Sequence, residues 1–168
     1  PPAISVEPTN RCNLKCPECP SGTGKLTRPI GLLSLDDFKD FVDQVCKKSF
    51  YLQLFFQGEP YINKNLSEMT RYARQKNMYV AVSTNGLLLK GKNVDEMLKN
   101  PPDKLIFSVD GLDQQTYEIY RQGGRLSEVK ENLSEIIKKK RELNLKKPYI
   151  ELQFIVMKQN EHQIDDVI

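Results

Sequence analysis

Five short apolar segments recur along this 168-residue chain, and each is followed by a stretch whose apolar residues fall at helical spacing. The segments are Ala3, Ile4 and Val6; Tyr51, Leu52, Leu54, Phe55 and Phe56; 79–82; 105–109; and 150–156. Between them, Phe38, Phe41, Val42, Val45 and Cys46 repeat at i, i+3, i+4, i+7 and i+8, and the capping-box pair Ser34 and Asp37 announces that helix. A second helix begins near Asn65 as cap and buries Leu66, Met69, Thr70 and Ala73, and a third spans 93–99 until Pro101 and Pro102 stop it. Two more cover 113–120 and 126–143, the latter with Leu126, Val129, Leu133, Ile136 and Ile137 on one face, and another starts at Gln163. Strands joined by helical crossovers lie parallel, and near-continuous apolar strands are expected where both sheet faces are covered. The chain is therefore expected to be α/β, a partial (βα) TIM-like barrel of parallel strands that stops after five.

The polar residues out of keeping with a core are not scattered. Cys12, Cys16 and Cys19 follow strand one; Gln57, Gly58 and Glu59 follow strand two; Ser83 and Asn85 follow strand three; Ser108 and Asp110 end strand four; Asn160 lies past strand five. In a parallel α/β sheet these positions share the carboxyl edge, where such folds build active sites.

The cysteine spacing, C-x3-C-x2-C, is set among Asn13, Lys15, Pro17, Glu18 and Pro20, which is too polar for a core and too crowded for disulfides. It reads as a cradle for a metal cluster with three protein ligands and one open position. Structural zinc is the competing reading, with a fourth ligand from Cys46 or His162, and unligated thiols a third. The ferredoxin run, C-x2-C-x2-C-x3-C-P, has a last cysteine that is absent here.

Composition narrows the field of functions. An apolar content of 39% with 28% charged residues suits one globular domain. No apolar stretch approaches the roughly 20 residues of a membrane-spanning helix, no signal peptide is visible, and clustered cysteines indicate a reducing compartment, so a soluble cytoplasmic protein is expected. A net charge of +3 is too small to imply nucleic acid or membrane. The run Lys138, Lys139, Lys140 and Arg141, with Lys146 and Lys147 beyond, reads as a solvated helix end because no aromatics interleave with the charges.

Taken in order, these residues resemble the radical S-adenosylmethionine superfamily over essentially the whole chain. Cys12-x3-Cys16-x2-Cys19 resembles its cluster motif, Gln57-Gly58-Glu59-Pro60 its second-strand Gly-Gly-Glu-Pro, and Ser83-Thr84-Asn85-Gly86 and Ser108-Val109-Asp110-Gly111 its third- and fourth-strand ends. Thr9-Asn10-Arg11 and Arg121 are most similar to the branch that carries a C-terminal auxiliary-cluster (SPASM-type) domain and modifies peptides or proteins. The resemblance implies a [4Fe-4S] cluster on Cys12, Cys16 and Cys19, with S-adenosylmethionine on the fourth iron, cleaved reductively to methionine and a 5′-deoxyadenosyl radical. It further implies that Glu59 and the Gly58 backbone accept from the ligand's ammonium, that Ser83 and Asn85 line its methionine side, and that Ser108 and Arg121 meet its carboxylate. Asp110 is assigned to the ribose, and Val156 and Asn160 to the border of the adenine. A peptide or protein substrate and a reductant protein are the implied partners; a non-catalytic iron-sulfur or zinc-binding module is the alternative. Glu18 stands where an aromatic is usual, and Gln57 replaces the first glycine. The family's partial barrel has six strands, so residues 1–168 are expected to be an incomplete core domain of a longer enzyme, without the sixth strand or an auxiliary domain.

Overall fold

The computed structural model describes residues 1–167. Strands β1 (Ala3–Ser5), β2 (Tyr51–Gln53), β3 (Tyr79–Thr84), β4 (Lys104–Ser108) and β5 (Tyr149–Gln153) form one sheet in the order β1-β2-β3-β4-β5, every neighbouring pair parallel. The helices are α1 (Pro20–Thr23), α2 (Leu35–Val45), α3 (Leu66–Gln75), α4 (Lys92–Lys99), α5 (Gln114–Tyr120), α6 (Leu126–Glu142) and α7 (Ile164–Val167), with 3-10 turns at Pro60–Ile62 and Glu161–Gln163. Strand order that follows chain order, with a helix in each later crossover, is the winding expected of a βα barrel segment.

The two faces of the sheet differ in chemistry. Leu52, Val80, Val82, Leu105 and Phe107 point to the helical side, where they are buried with Phe38 and Val42 of α2, Met69 and Ala73 of α3, Val94 of α4 and Ile136 of α6. Each such side chain contributes about 1.5–3 kcal/mol of burial, so this layer holds the fold together. The opposite face is partly polar. Register aligns Gln53 with Ala81, Ser83 with Ile106, and Ser108 with Gln153. Lower on this face Ser5 donates to Gln53 at 2.7 Å and Lys104 pairs with Glu151 at 2.6 Å. The expectation of strands apolar on both sides is therefore corrected: only one face packs against helices, and the other is a concave, hydrogen-bonding surface.

Strand ends also move. β2 stops at Gln53 rather than at 56, although the Leu54 amide still donates to the Ala81 carbonyl at 2.8 Å. The chain then turns toward Gly58, at φ +82, and Phe56 is left 74% exposed. β5 likewise ends at Gln153, three residues short of Val156. The Ser34 cap forms as expected, its hydroxyl accepting from the Asp37 amide at 3.1 Å. Asn65 takes the cap position of α3 but makes no side-chain cap bond; Asn63 does the local work instead, accepting from the Asn65 amide and donating to the Pro8 and Leu33 carbonyls.

Candidate metal and cofactor site

The chain leaves β1 across the carboxyl edge of the sheet, and the cysteine loop is folded there by its own backbone. Buried Leu14 anchors it, its amide 3.5 Å from Cys12 Sγ. The Cys19 amide donates to the Cys16 carbonyl, Cys19 caps α1, and Pro20 opens that helix where its lack of an N–H costs nothing. Gly22 packs against Cys16 so closely that a Cβ would lie 2.6 Å from the Cys16 amide nitrogen and carbonyl oxygen. The Lys15 amide donates to the Gln122 carbonyl at 3.0 Å, tying the loop to the turn after α5.

All three clustered cysteines are free thiols and line one cavity of about 260 Å³. They share it with Glu59 and Asn85 on one side, Ser83 and Ser108 at the top of the concave sheet face, and Arg121 opposite. Among the described residues no three His, Cys, Asp or Glu side chains are gathered tightly enough to hold a single ion. A tetrahedral zinc, with Zn–S bonds of about 2.3 Å, would draw its sulfurs to within about 4 Å of one another. Cluster ligands bind separate irons and stand further apart around a shared space, which this cavity provides. The donors that a zinc reading would need do not join them: Cys46 ends α2 with its Sγ 3.8 Å from the Asp43 carbonyl, and His162 is exposed within the Glu161–Gln163 turn. Burial pushes the Cys12 thiol up to about 11 and raises Cys16, whose shift the Arg121 cation opposes. A metal centre loading here must displace those protons.

Glu59 is 1% exposed and is the hub of the opposite wall. Oε1 accepts from the Thr84 hydroxyl at 2.8 Å and the Tyr61 amide at 3.2 Å, and Oε2 accepts from the Asn85 amide at 2.8 Å. Burial raises its proton affinity while these three donors lower it. Oε2 has received a single protein donor and retains acceptor capacity toward the cavity. Gly58 fixes the approach: at φ +82 a Cβ would fall 2.4 Å from the Thr9 carbonyl oxygen and 2.6 Å from that of Arg11. Asn85 lines the cavity while its amide also donates to Asn13 at 2.8 Å and accepts from the Leu87 amide at 3.1 Å, leaving one N–H and one lone pair unassigned.

Asp110, assigned to the ribose by the resemblance, is engaged by protein donors here. It is fully buried and does not line the cavity; Oδ2 accepts from Arg121 Nε at 2.5 Å and Oδ1 from the Ile155 amide at 2.8 Å. It aims Arg121, whose Nη1 comes within 4.0 Å of Cys16 Sγ and whose guanidinium lies over the Tyr120 ring. Asn160 is also wholly buried, donating to the Asp110 and Ile155 carbonyls, and Val156 is exposed; neither lines this cavity. Gln57 is not a wall residue but touches the ligand set through Cys19. The lining residues Phe55, Phe56, Tyr120 and Gln153 were not expected; their place at strand and helix ends was the available signal. A roomier cleft of about 630 Å³ lies between α3 and α4, lined by both lysines and glutamates and remote from the cysteines.

Comparison with known proteins agrees with this geometry. The model of the radical SAM superfamily matches residues 6–168. The chain is 31% identical over 121 residues to an AdoMet-dependent heme synthase of Methanosarcina barkeri, covering 72% of this chain and 34% of that protein. It is 27% identical over 168 residues to a PqqA peptide cyclase of Bradyrhizobium diazoefficiens, covering all of this chain and 42% of the relative. The fold superposes on Streptococcus suis SuiB, solved with S-adenosylmethionine and also with its precursor peptide SuiA, at a TM-score of 0.77 and 18% identity over 99% of this chain. That overlap takes in 37% of the SuiB chain bound to S-adenosylmethionine, so the sequence spans between a third and a half of the length of these proteins. The five-stranded parallel sheet is thus the partial TIM-like barrel of these enzymes, and with the family model covering nearly every residue, the chain belongs to the radical SAM superfamily.

Proposed function

We propose that residues 1–168 are the core of an enzyme that binds a [4Fe-4S] cluster on Cys12, Cys16 and Cys19 and initiates radical chemistry on S-adenosylmethionine, with a peptide or protein as the substrate acted on. The carrying observation is that three free thiols, a buried carboxylate with spare acceptor capacity and a partly buried guanidinium line one cavity on the carboxyl edge of the sheet. When bound, the cluster supplies one electron that cleaves the sulfonium to methionine and a 5′-deoxyadenosyl radical.

The chain's own groups bind and orient. Glu59 Oε2 accepts from the ammonium of the methionine moiety, and the Arg121 fork, held by Asp110, pairs with its carboxylate. Ser83 and Ser108 offer hydroxyls beside them. Asn85 lines the same cavity and also donates to Asn13, bracing the cysteine loop. The sulfurs and Arg121 are largely withdrawn from water, which strengthens each of these contacts. Peptide substrates are favoured because the relatives include a peptide cyclase and a protein solved with its precursor peptide. A protein reductant in a cytoplasmic setting suits the free thiols.

The test is anaerobic reconstitution of the full-length enzyme with iron and sulfide, followed by metal analysis and assay of 5′-deoxyadenosine under reduction. Iron and sulfide in equal amounts, and product lost in Cys16→Ala, are expected. One zinc without sulfide, or undiminished product in the variant, would overturn the reading.

A further inference from the structure

Gln57 places a side-chain amide against one of the cluster ligands. Its Oε1 lies 3.4 Å from Cys19 Sγ and 3.2 Å from Ser21 Oγ, accepting from both the thiol and the hydroxyl. The motif that this segment resembles has glycine here, which carries no such group.

The amide is held from both sides. Gln57 donates its backbone N–H to Glu7 Oε1 at 3.1 Å, and Glu7 is gripped by both terminal nitrogens of Arg28, at 2.6 and 2.7 Å. Gly58 next to it is wedged against the 9–11 backbone, and the Glu59 amide donates to the Arg11 carbonyl at 2.7 Å. With its backbone fixed this closely, the side chain is directed at Cys19 rather than at solvent.

The contact seen here suits a protonated thiol, which donates to the amide oxygen. A ligated sulfur has no proton, and the same pose would set two acceptors face to face at 3.4 Å. Turning the amide by half a rotation about its last bond places Nε2 there, with one hydrogen for the sulfur and one for Ser21 Oγ, which accepts as readily as it donates. We propose that Gln57 is a hydrogen-bond donor to the Cys19 sulfur in the loaded protein and that it raises the reduction potential of the centre. Reduction adds negative charge to the cluster and its sulfurs, and an N–H aimed at a sulfur stabilises that added charge. This inference rests on the iron-sulfur reading of the site.

The experiment compares the reconstituted full-length wild type with Gln57→Leu and Gln57→Gly, each checked for equal iron and sulfide content, by EPR-monitored redox titration. Protein labelled with 15N at glutamine side chains is measured in parallel by pulsed EPR on the reduced cluster. A midpoint moved to more negative potential in both variants, and a 15N coupling present in wild type and absent in Gln57→Leu, are the expected results. Should one variant fail to assemble, the other carries both the midpoint and the 15N comparison, which is needed because Gln153 also lines the cavity. An unchanged midpoint with no such coupling overturns the inference while leaving the site intact. A wild type that takes up no iron and sulfide overturns the site reading and this inference together.

Discussion

Glu59 joins three parts of the chain through one carboxylate: its own loop at Tyr61, the end of β3 at Thr84, and the turn at Asn85. An amide in its place accepts with one oxygen only, so Glu59→Gln turns an NH2 toward at least one of those donors. A loss of about 1–3 kcal/mol is expected in urea denaturation of the metal-free protein, the cost of an unsatisfied buried donor; stability equal to wild type would show the network to be dispensable. At this scale the sequence was informative about which residues matter and less so about what each does. The cysteines and Glu59 could be picked out because their types and order are unusual for turns and core, whereas Arg121 was reached only through the family resemblance. Asp110 could not be told from a ligand-facing carboxylate, since its role as the support of Arg121 depends on a bond across a helix and on the Ile155 amide. Asn85 lines the cavity, and its partner Asn13 is brought near only by the folded loop.

Helices were easier to read than strand ends. The spacing of Phe38 and Val42, with Ser34 before them, located α2 to within a residue or so, because capping and a single buried stripe are local properties. Ser34→Ala is expected to cost about 1 kcal/mol in thermal or urea unfolding, the usual effect of losing an N-cap. Iron uptake should stay at the wild-type level, since α2 packs on the helical side of the sheet, away from the cavity. Reduced uptake would mean that α2 supports the loop in a way the contacts do not reveal. The run through Phe55 and Phe56 was misleading for a physical reason: apolarity does not distinguish a strand covered on both faces from an apolar turn at the rim of a cavity. Here the ladder has ended by Leu54, four residues before the positive φ of Gly58, and the two phenylalanines become part of the cavity wall.

Across the whole molecule, the sheet is closed on neither side among the described residues: β1 and β5 are its edges. β5 exposes Tyr149 and Leu152, at 63% and 60%, beside its unpaired backbone groups. Such an edge pairs with copies of itself unless charged or covered. Sedimentation of residues 1–168 alone is expected to show association that grows with concentration and that Leu152→Lys reduces; a strictly monomeric species at every concentration would refute this. No helix among the described residues is long and apolar enough to cross a membrane. The backbone bond from Lys15 to Gln122 carries the argument furthest across the fold. It latches the cysteine loop to the turn between α5 and α6, one residue past Arg121, so the thiols and the guanidinium are set in place by a shared strut of main chain.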